Sequence, residues 1–198
     1  MRRRRGLSHV GSLAILVLIL GCTTAATPSD NPESVPLRQV ADVPLPGPAV
    51  RFDYQSLDAS HGRLYIAHMN ADQLVVFDTK KRDVVANLDG FPNVHGVWAV
   101  PELGRVYASA TGEHKVAVVD METLKTLKTI AKTGPVKYPD GIAYAPGVKR
   151  VLVSDEHGDA DAVIDATTNS LVATVPLNGG AGNTVYDPWL RPHHRRRP

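Results

Sequence analysis

Gly62-Arg63-Leu64-Tyr65-Ile66-Ala67, Gly104-Arg105-Val106-Tyr107-Ala108-Ser109 and Lys149-Arg150-Val151-Leu152-Val153-Ser154 are three versions of one short β-forming run. Each is followed by a polar loop and a second run: Leu74-Val75-Val76-Phe77-Asp78-Thr79, Val116-Ala117-Val118-Val119-Asp120-Met121 and Ala162-Val163-Ile164-Asp165-Ala166-Thr167. The arginines are spaced by 42 and then 45 residues, and Asp78, Asp120 and Asp165 repeat both intervals. A further landmark recurs at 45 and 42, in Gly96-Val97-Trp98-Ala99-Val100-Pro101, Gly141-Ile142-Ala143-Tyr144-Ala145-Pro146 and Asn183-Thr184-Val185-Tyr186-Asp187-Pro188, so a fourth copy begins. Independent landmarks that share one period define an internal repeat.

Within a copy the pattern is four short β-runs. In the second copy they are Val97 to Val100, Arg105 to Ala110, Val116 to Val119 and Thr123 to Ile130, separated by Pro-Glu-Leu-Gly, Gly-Glu-His and Asp-Met-Glu, all turn chemistry. Over the three copies, strands are expected near residues 64–67, 74–78, 106–109, 116–119, 151–153 and 162–165, with no helix beyond a turn. Runs such as Val116 to Val119 are apolar on both faces, as a strand held between neighbouring sheets must be. Four strands every ~40 to 45 residues make a β-propeller blade. The expected class is all-β, a partial β-propeller of about three four-stranded blades plus the start of a fourth.

The repeat resembles the YVTN (YncE-like) β-propeller family, roughly from Ala49 to Pro188. Arg63-Leu64-Tyr65-Ile66-Ala67 and Arg105-Val106-Tyr107-Ala108-Ser109 carry the strand B pattern, and Val75-Val76-Phe77-Asp78-Thr79 and Val118-Val119-Asp120 the end of strand C. The third copy departs from it with Leu152 where tyrosine is usual. The resemblance implies an exported or surface protein, a seven-bladed parent and no assigned chemistry. Residues 49–188 hold three blades and a fragment, and after Pro188 the pattern calls for Gly-Arg and another β-run. Residues 189–198 instead form a basic tail without alternation, which reads as the out-of-frame or interrupted end of a longer propeller gene, the alternative being a genuine short chain that closes its ring by oligomerising. Open blade edges left by such an arc would favour self-association.

The N-terminus reads as an address. Arg2 to Arg5 precede an apolar stretch, Val10 to Leu20, that is too short to span a bilayer as a helix. Ile19-Leu20-Gly21-Cys22 follows, placing the single cysteine where a bacterial lipobox needs it. Residues 1–21 are therefore read as a lipoprotein signal peptide, with Cys22 lipidated and the chain facing the periplasm. Thr23 beside it favours the outer membrane over the inner if the cell is Gram-negative; export by Sec or Tat stays open. Residues 22–48 contain six prolines between Thr23 and Pro48 and read as an extended tether. One cysteine makes no disulfide.

The formal net charge of +2 misleads, because 8 of the 22 basic residues lie in the two ends. Between Ala49 and Asp187, 13 Lys+Arg face 17 Asp+Glu. That mildly acidic segment offers no basic face for nucleic acid.

Candidate site residues follow from blade geometry, which brings the loop before strand A and the loop between strands B and C to one face. His95, Asp140 and Asn183 precede successive A strands; His68, Asn70, Glu113, His114, Glu156 and His157 lie in successive B to C loops. Imidazole and carboxylate together would hold a transition metal or orient a polar ligand, but no H-x-x-x-H pair is present, and no cofactor or metal is specified. Four carboxylates in Asp155 to Asp161 differ in spacing from an EF-hand loop, Gly179-Gly180-Ala181-Gly182 lacks the helix of a phosphate loop, and Ser109 and Ser154 lack a nucleophile elbow. Asp78, Asp120 and Asp165 recur too regularly for catalysis and read as turn caps. The expected role is a lipid-anchored binding or scaffold module of the cell envelope, with a protein or small-molecule ligand on the loop face. The alternative is a propeller enzyme, lactonase-like or redox, for which no recognisable constellation is present.

Overall fold

The structure, a computed structural model, describes residues 38–131 and 134–189. The signal segment, Cys22, the first part of the tether and residues 190–198 lie outside the described residues. The described chain forms twelve strands: β1 (Gln55–Asp58), β2 (Arg63–His68), β3 (Gln73–Asp78), β4 (Asp83–Asp89), β5 (Val94–Val100), β6 (Arg105–Ala110), β7 (Lys115–Asp120), β8 (Thr126–Ile130), β9 (Pro139–Ala145), β10 (Arg150–Asp155), β11 (Ala160–Asp165) and β12 (Ser170–Pro176). They pair in chain order as three antiparallel four-stranded sheets, β1 to β4, β5 to β8 and β9 to β12. The described helices are 3₁₀ turns of three residues, such as Pro101–Leu103. The chain is thus all-β over the described residues, and its three sheets are compatible with propeller blades.

The register explains why two landmarks share a period. Arg63 lies opposite Asp78, Arg105 opposite Asp120 and Arg150 opposite Asp165. Each aspartate then closes the following turn. Asp78 Oδ1 accepts the amides of Lys80 and Lys81 at 2.9 and 2.8 Å; Asp120 Oδ1 those of Glu122 and Thr123 at 3.1 and 2.7 Å; Asp165 Oδ1 those of Thr167 and Thr168 at 2.8 and 3.0 Å. These bonds hold all three carboxyls below the usual aspartate pKa. The copies also bulge at one equivalent place, between Val76 and Phe77, Val118 and Val119, and Val163 and Ile164.

Two boundaries differ from the sequence reading. β8 starts at Thr126 rather than Thr123, because the Leu124 amide turns back to Asp120 O and Leu124 adopts φ 56°. β5 starts at Val94 rather than Val97, so His95 is a strand residue, as is Asp140 in β9.

Side-chain alternation sends each strand of the middle sheet to two partners. Val106, Ala108, Ala117 and Val119 pack against Tyr65, Ala67, Leu74 and Val76 of the first sheet. Tyr107, Val116 and Val118 pack against Val151, Val153, Ala162 and Ile164 of the third. Full burial of each such valine contributes roughly 1.5–3 kcal/mol. The compact unit begins at Val40, and residues Val40, Val43 and Leu45 lie over Leu64, Ile66 and Phe77, the other face of the first sheet.

The repeated arginine acts between sheets. Arg63 Nη1 donates to the carbonyl of Met121, and Arg105 Nη1 to the carbonyl of Ala166, each the residue after the turn-capping aspartate of the next sheet. Arg150 instead pairs with Asp165 of its own sheet at 2.7 Å and donates to the Val148 carbonyl at 3.1 Å.

Candidate functional site

β1, β5 and β9 begin at the same end of their sheets, where β2, β6 and β10 finish. The register places Gln55, Val97 and Ile142 opposite Ile66, Ala108 and Val153, each three residues after its sheet's arginine. Counting back two, Asp53, His95 and Asp140 are one position in three copies, and Tyr54, Gly96 and Gly141 are the next. Glycine at that second position lets the first strands approach: a Cβ on Gly96 would land on the carbonyl oxygen of Asp140, and one on Gly141 would lie 3.2 Å from Asn183 Oδ1. In the first copy Tyr54 stands there instead and donates its hydroxyl to Asn183 Oδ1.

His95 is 6% exposed. Its Nδ1 sits 2.7 Å from the carbonyl of Asn93; a carbonyl only accepts, so that nitrogen carries a proton and donates it. The Tyr138 hydroxyl lies 3.5 Å from Nε2, and the Tyr138 ring bridges His95, with centroids 5.5 Å apart, and His157, at 4.1 Å. Asp140 is half-buried, and its Oδ1 is shut from solvent with no hydrogen-bond partner. Burial foremost pushes its carboxyl pKa up; His95 and Arg51 oppose this, while Asp53 and Glu156 add to it. The Tyr54 phenol is raised by burial first, then by Asp140 and Asp53. Arg51 pairs with Asp53 at 3.3 Å on the surface.

Tyr138 owes its place to a buried carboxylate. Asp155 accepts the amides of Lys137 and Tyr138 at 2.9 and 2.6 Å, and a Cβ on Gly158 would overlap that carboxylate. The acidic β10–β11 segment therefore positions a loop as well as lining a surface. Among the described residues no group of three or more His, Cys, Asp or Glu is arranged to hold a metal.

Of the residues expected at the loop face, the structure brings together His95, Asp140, Glu156, His157 and Asn183. The three B to C histidines occupy non-equivalent positions. His68 ends β2, is 1% exposed, stacks on Phe52 at 4.0 Å and bonds through Nε2 to the Pro48 carbonyl at 3.1 Å. His114 takes the left-handed residue after a 3₁₀ turn, φ 55°, and bonds the Lys137 carbonyl. Asn70 donates its amide to the Arg51 carbonyl at 3.2 Å, and Glu113 pairs with Lys115 at 2.9 Å. Arg51, Asp53, Tyr54 and Tyr138 escaped the sequence reading; stepping back 42 residues from His95 would have found Asp53.

The arrangement groups the carboxylates of Asp53, Asp140 and Glu156 with the His95 imidazole and the Tyr54 and Tyr138 rings. Such a surface suits a ligand with a cationic group, held by charge and by ring faces.

No family model matches the chain, and no curated protein matches it. Among solved structures 972 chains are similar, so the fold is a widely shared one. A hydrazine synthase chain from Kuenenia stuttgartiensis superposes with a TM-score of 0.58 at 20% identity, over 70% of this chain and 41% of that one. This chain spans about two fifths of that chain's length, and likeness at this identity carries the fold alone.

Proposed function

We propose that this chain is an exported, lipid-anchored β-propeller protein whose sheets are blades of the YVTN kind, and that it binds a cationic ligand at the bacterial cell envelope. The observation that carries the binding half is the equivalence of Asp53, His95 and Asp140, which a repeat meant only for packing has no need to make polar. The half-buried Asp140, with Asp53 and Glu156 close enough to act on its charge, gives that surface a run of carboxylates that a cationic ligand would offset. The anchoring half rests on Ile19-Leu20-Gly21-Cys22 behind a short apolar segment.

Each half has its own test. Mass spectrometry of the mature protein is expected to find a lipidated Cys22; an intact Met1 or an unmodified N-terminus removes the anchor. Titration of the full chain with tetramethylammonium is expected to give a saturable change in tyrosine fluorescence that Asp140→Asn weakens. No saturable change removes the cationic ligand.

A further inference from the structure

The first sheet has one face that no sheet covers among the described residues. Counted from each copy's arginine and aspartate, Leu64, Ile66 and Phe77 stand where Val106, Ala108 and Val119 stand in the second sheet and Val151, Val153 and Ile164 in the third. Those six are fully buried against the sheet before them. Over the first sheet the chain's own residues 40–45 take that place, outside any strand, and they fit loosely: a cleft of about 330 Å³ remains, with Leu64 and Phe77 part-exposed. Its size is at the lower end of small-molecule sites and its wall is mainly apolar, with no carboxylate and one charge, Arg82.

The repeat explains how Arg82 comes to the cleft. It stands four residues after Asp78, as Leu124 does after Asp120 and Asn169 after Asp165, and all three are left-handed, with φ of 57°, 56° and 53°. In the later copies this side chain meets the preceding sheet. Leu124 packs into the core between the first and second sheets, and Asn169 Oδ1 accepts from the Tyr107 hydroxyl at 2.7 Å and from Arg105 Nη1 at 3.1 Å. Arg82 is exposed at the cleft instead; its Nη1 donates to the Val40 carbonyl at 3.4 Å, and it forms no ion pair among the described residues.

We propose that this cleft binds a free single-chain amphiphile with a carboxylate head, its hydrocarbon lying on Leu64, Ile66 and Phe77 and its head on the Arg82 guanidinium. A second copy is the poorer occupant. Residue 169 meets Arg105 of the sheet before it, and β2, β6 and β10 all open on such an arginine, so a sheet of this kind docked in the same way would set arginine against Arg82. The cleft shares no residue with the Asp53, His95 and Asp140 surface and does not depend on that reading.

The test follows the backbone amide signals of Ile66, Phe77 and Thr79 in the full chain, titrated below micelle-forming concentrations with decanoate, hexanoate and decyltrimethylammonium. Decanoate is expected to give saturable shifts, with hexanoate at least about tenfold weaker for its four missing methylenes. Decyltrimethylammonium, with the same chain and the opposite charge, is expected to bind more weakly than decanoate. Arg82→Gln is expected to weaken decanoate about tenfold, and Arg82→Lys to keep most of the affinity. No saturable shift with decanoate, decyltrimethylammonium binding as tightly, or Arg82→Gln binding decanoate like the wild type each overturns the proposal. So do shifts at these amides that follow protein concentration alone, which would put a second copy on the face. Should Arg82→Gln fail to give a folded spectrum, the two decyl ligands compared on the wild type decide.

Discussion

The interface between the first and second sheets and the interface between the second and third are built from the same positions, yet only at the second does the buried tyrosine beside the repeated arginine find a hydrogen-bond acceptor. Arg63 and Arg105 each reach a carbonyl of the following sheet, and Tyr65 and Tyr107 are both fully buried. Asn169 then completes the hydrogen bonding of Tyr107, whereas Leu124 leaves the Tyr65 hydroxyl without a partner. At the strand starts the asymmetry reverses, with Tyr54 reaching a polar partner where Gly96 and Gly141 only make room. The repeat's most visible residues are thus its packing devices, and the copies part where one residue at an equivalent turn changes type.

The largest effects strike the tighter interface. Gly96→Ala forces a methyl onto the Asp140 carbonyl and is expected to cost about 3 kcal/mol or more, read as a lowered denaturant midpoint. Tyr54→Phe, at the equivalent position, keeps the ring packed on the core and removes only the hydroxyl bond to Asn183, and is expected to cost about 1 kcal/mol. Equal losses would mean that the first strands do not approach as closely as the glycines imply.

Next is the arginine. Arg105→Ala removes donors to Ala166 and Asn169 across sheets and is expected to cost about 2–3 kcal/mol. Arg150→Ala removes a half-exposed pair and exposed hydrogen bonds to neighbouring carbonyls, all within one sheet, together worth about 1 kcal/mol. If the two cost the same, the arginine serves its own sheet and not the next.

Acid titration gives the smallest differences. Asp78, Asp120 and Asp165 have folded pKa values below their ordinary 3.8, so their contribution is present above that value and is lost as pH falls through the folded one. Asp140 runs the other way: its raised folded pKa favours folding below 3.8, and that help is lost as pH rises through the folded value. Asp140→Asn is therefore expected to stabilise at pH 7, a gain that shrinks on acidification. Thermal melts from pH 3 to 7 check both signs, and a D140N gain that grows in acid would contradict the placement of Asp140 among carboxylates.

Much of the fold was legible because arginine and aspartate landmarks are cross-strand partners, and a shared register forces a shared period. The turn-capping aspartates were legible for the same reason. Strand ends were not: Leu124 carries no left-handed signal, yet it delays β8 to Thr126. At the candidate site His95 and Asp140 were found through blade geometry, while Asp53 and Tyr54 were hidden because the first copy replaces the glycine landmark with tyrosine. Tyr138 was hidden too, since its position depends on the Asp155 carboxylate across the sheet and on the longer connection between β8 and β9. Burial also sorted the histidines, taking His68 into a stack with Phe52 that no spacing rule exposes.

The most direct test of the interface comparison is a pair of single-atom deletions, Tyr107→Phe and Tyr65→Phe, measured side by side by equilibrium denaturation of the full chain. Tyr107→Phe removes a buried hydroxyl from a bonded pair and is expected to cost about 1–2 kcal/mol. Tyr65→Phe removes one that has no partner and is expected to be neutral or slightly stabilising. Matching losses at the two positions would contradict the account, because they would mean that the Tyr65 hydroxyl is satisfied within the protein and that the two interfaces are equivalent after all.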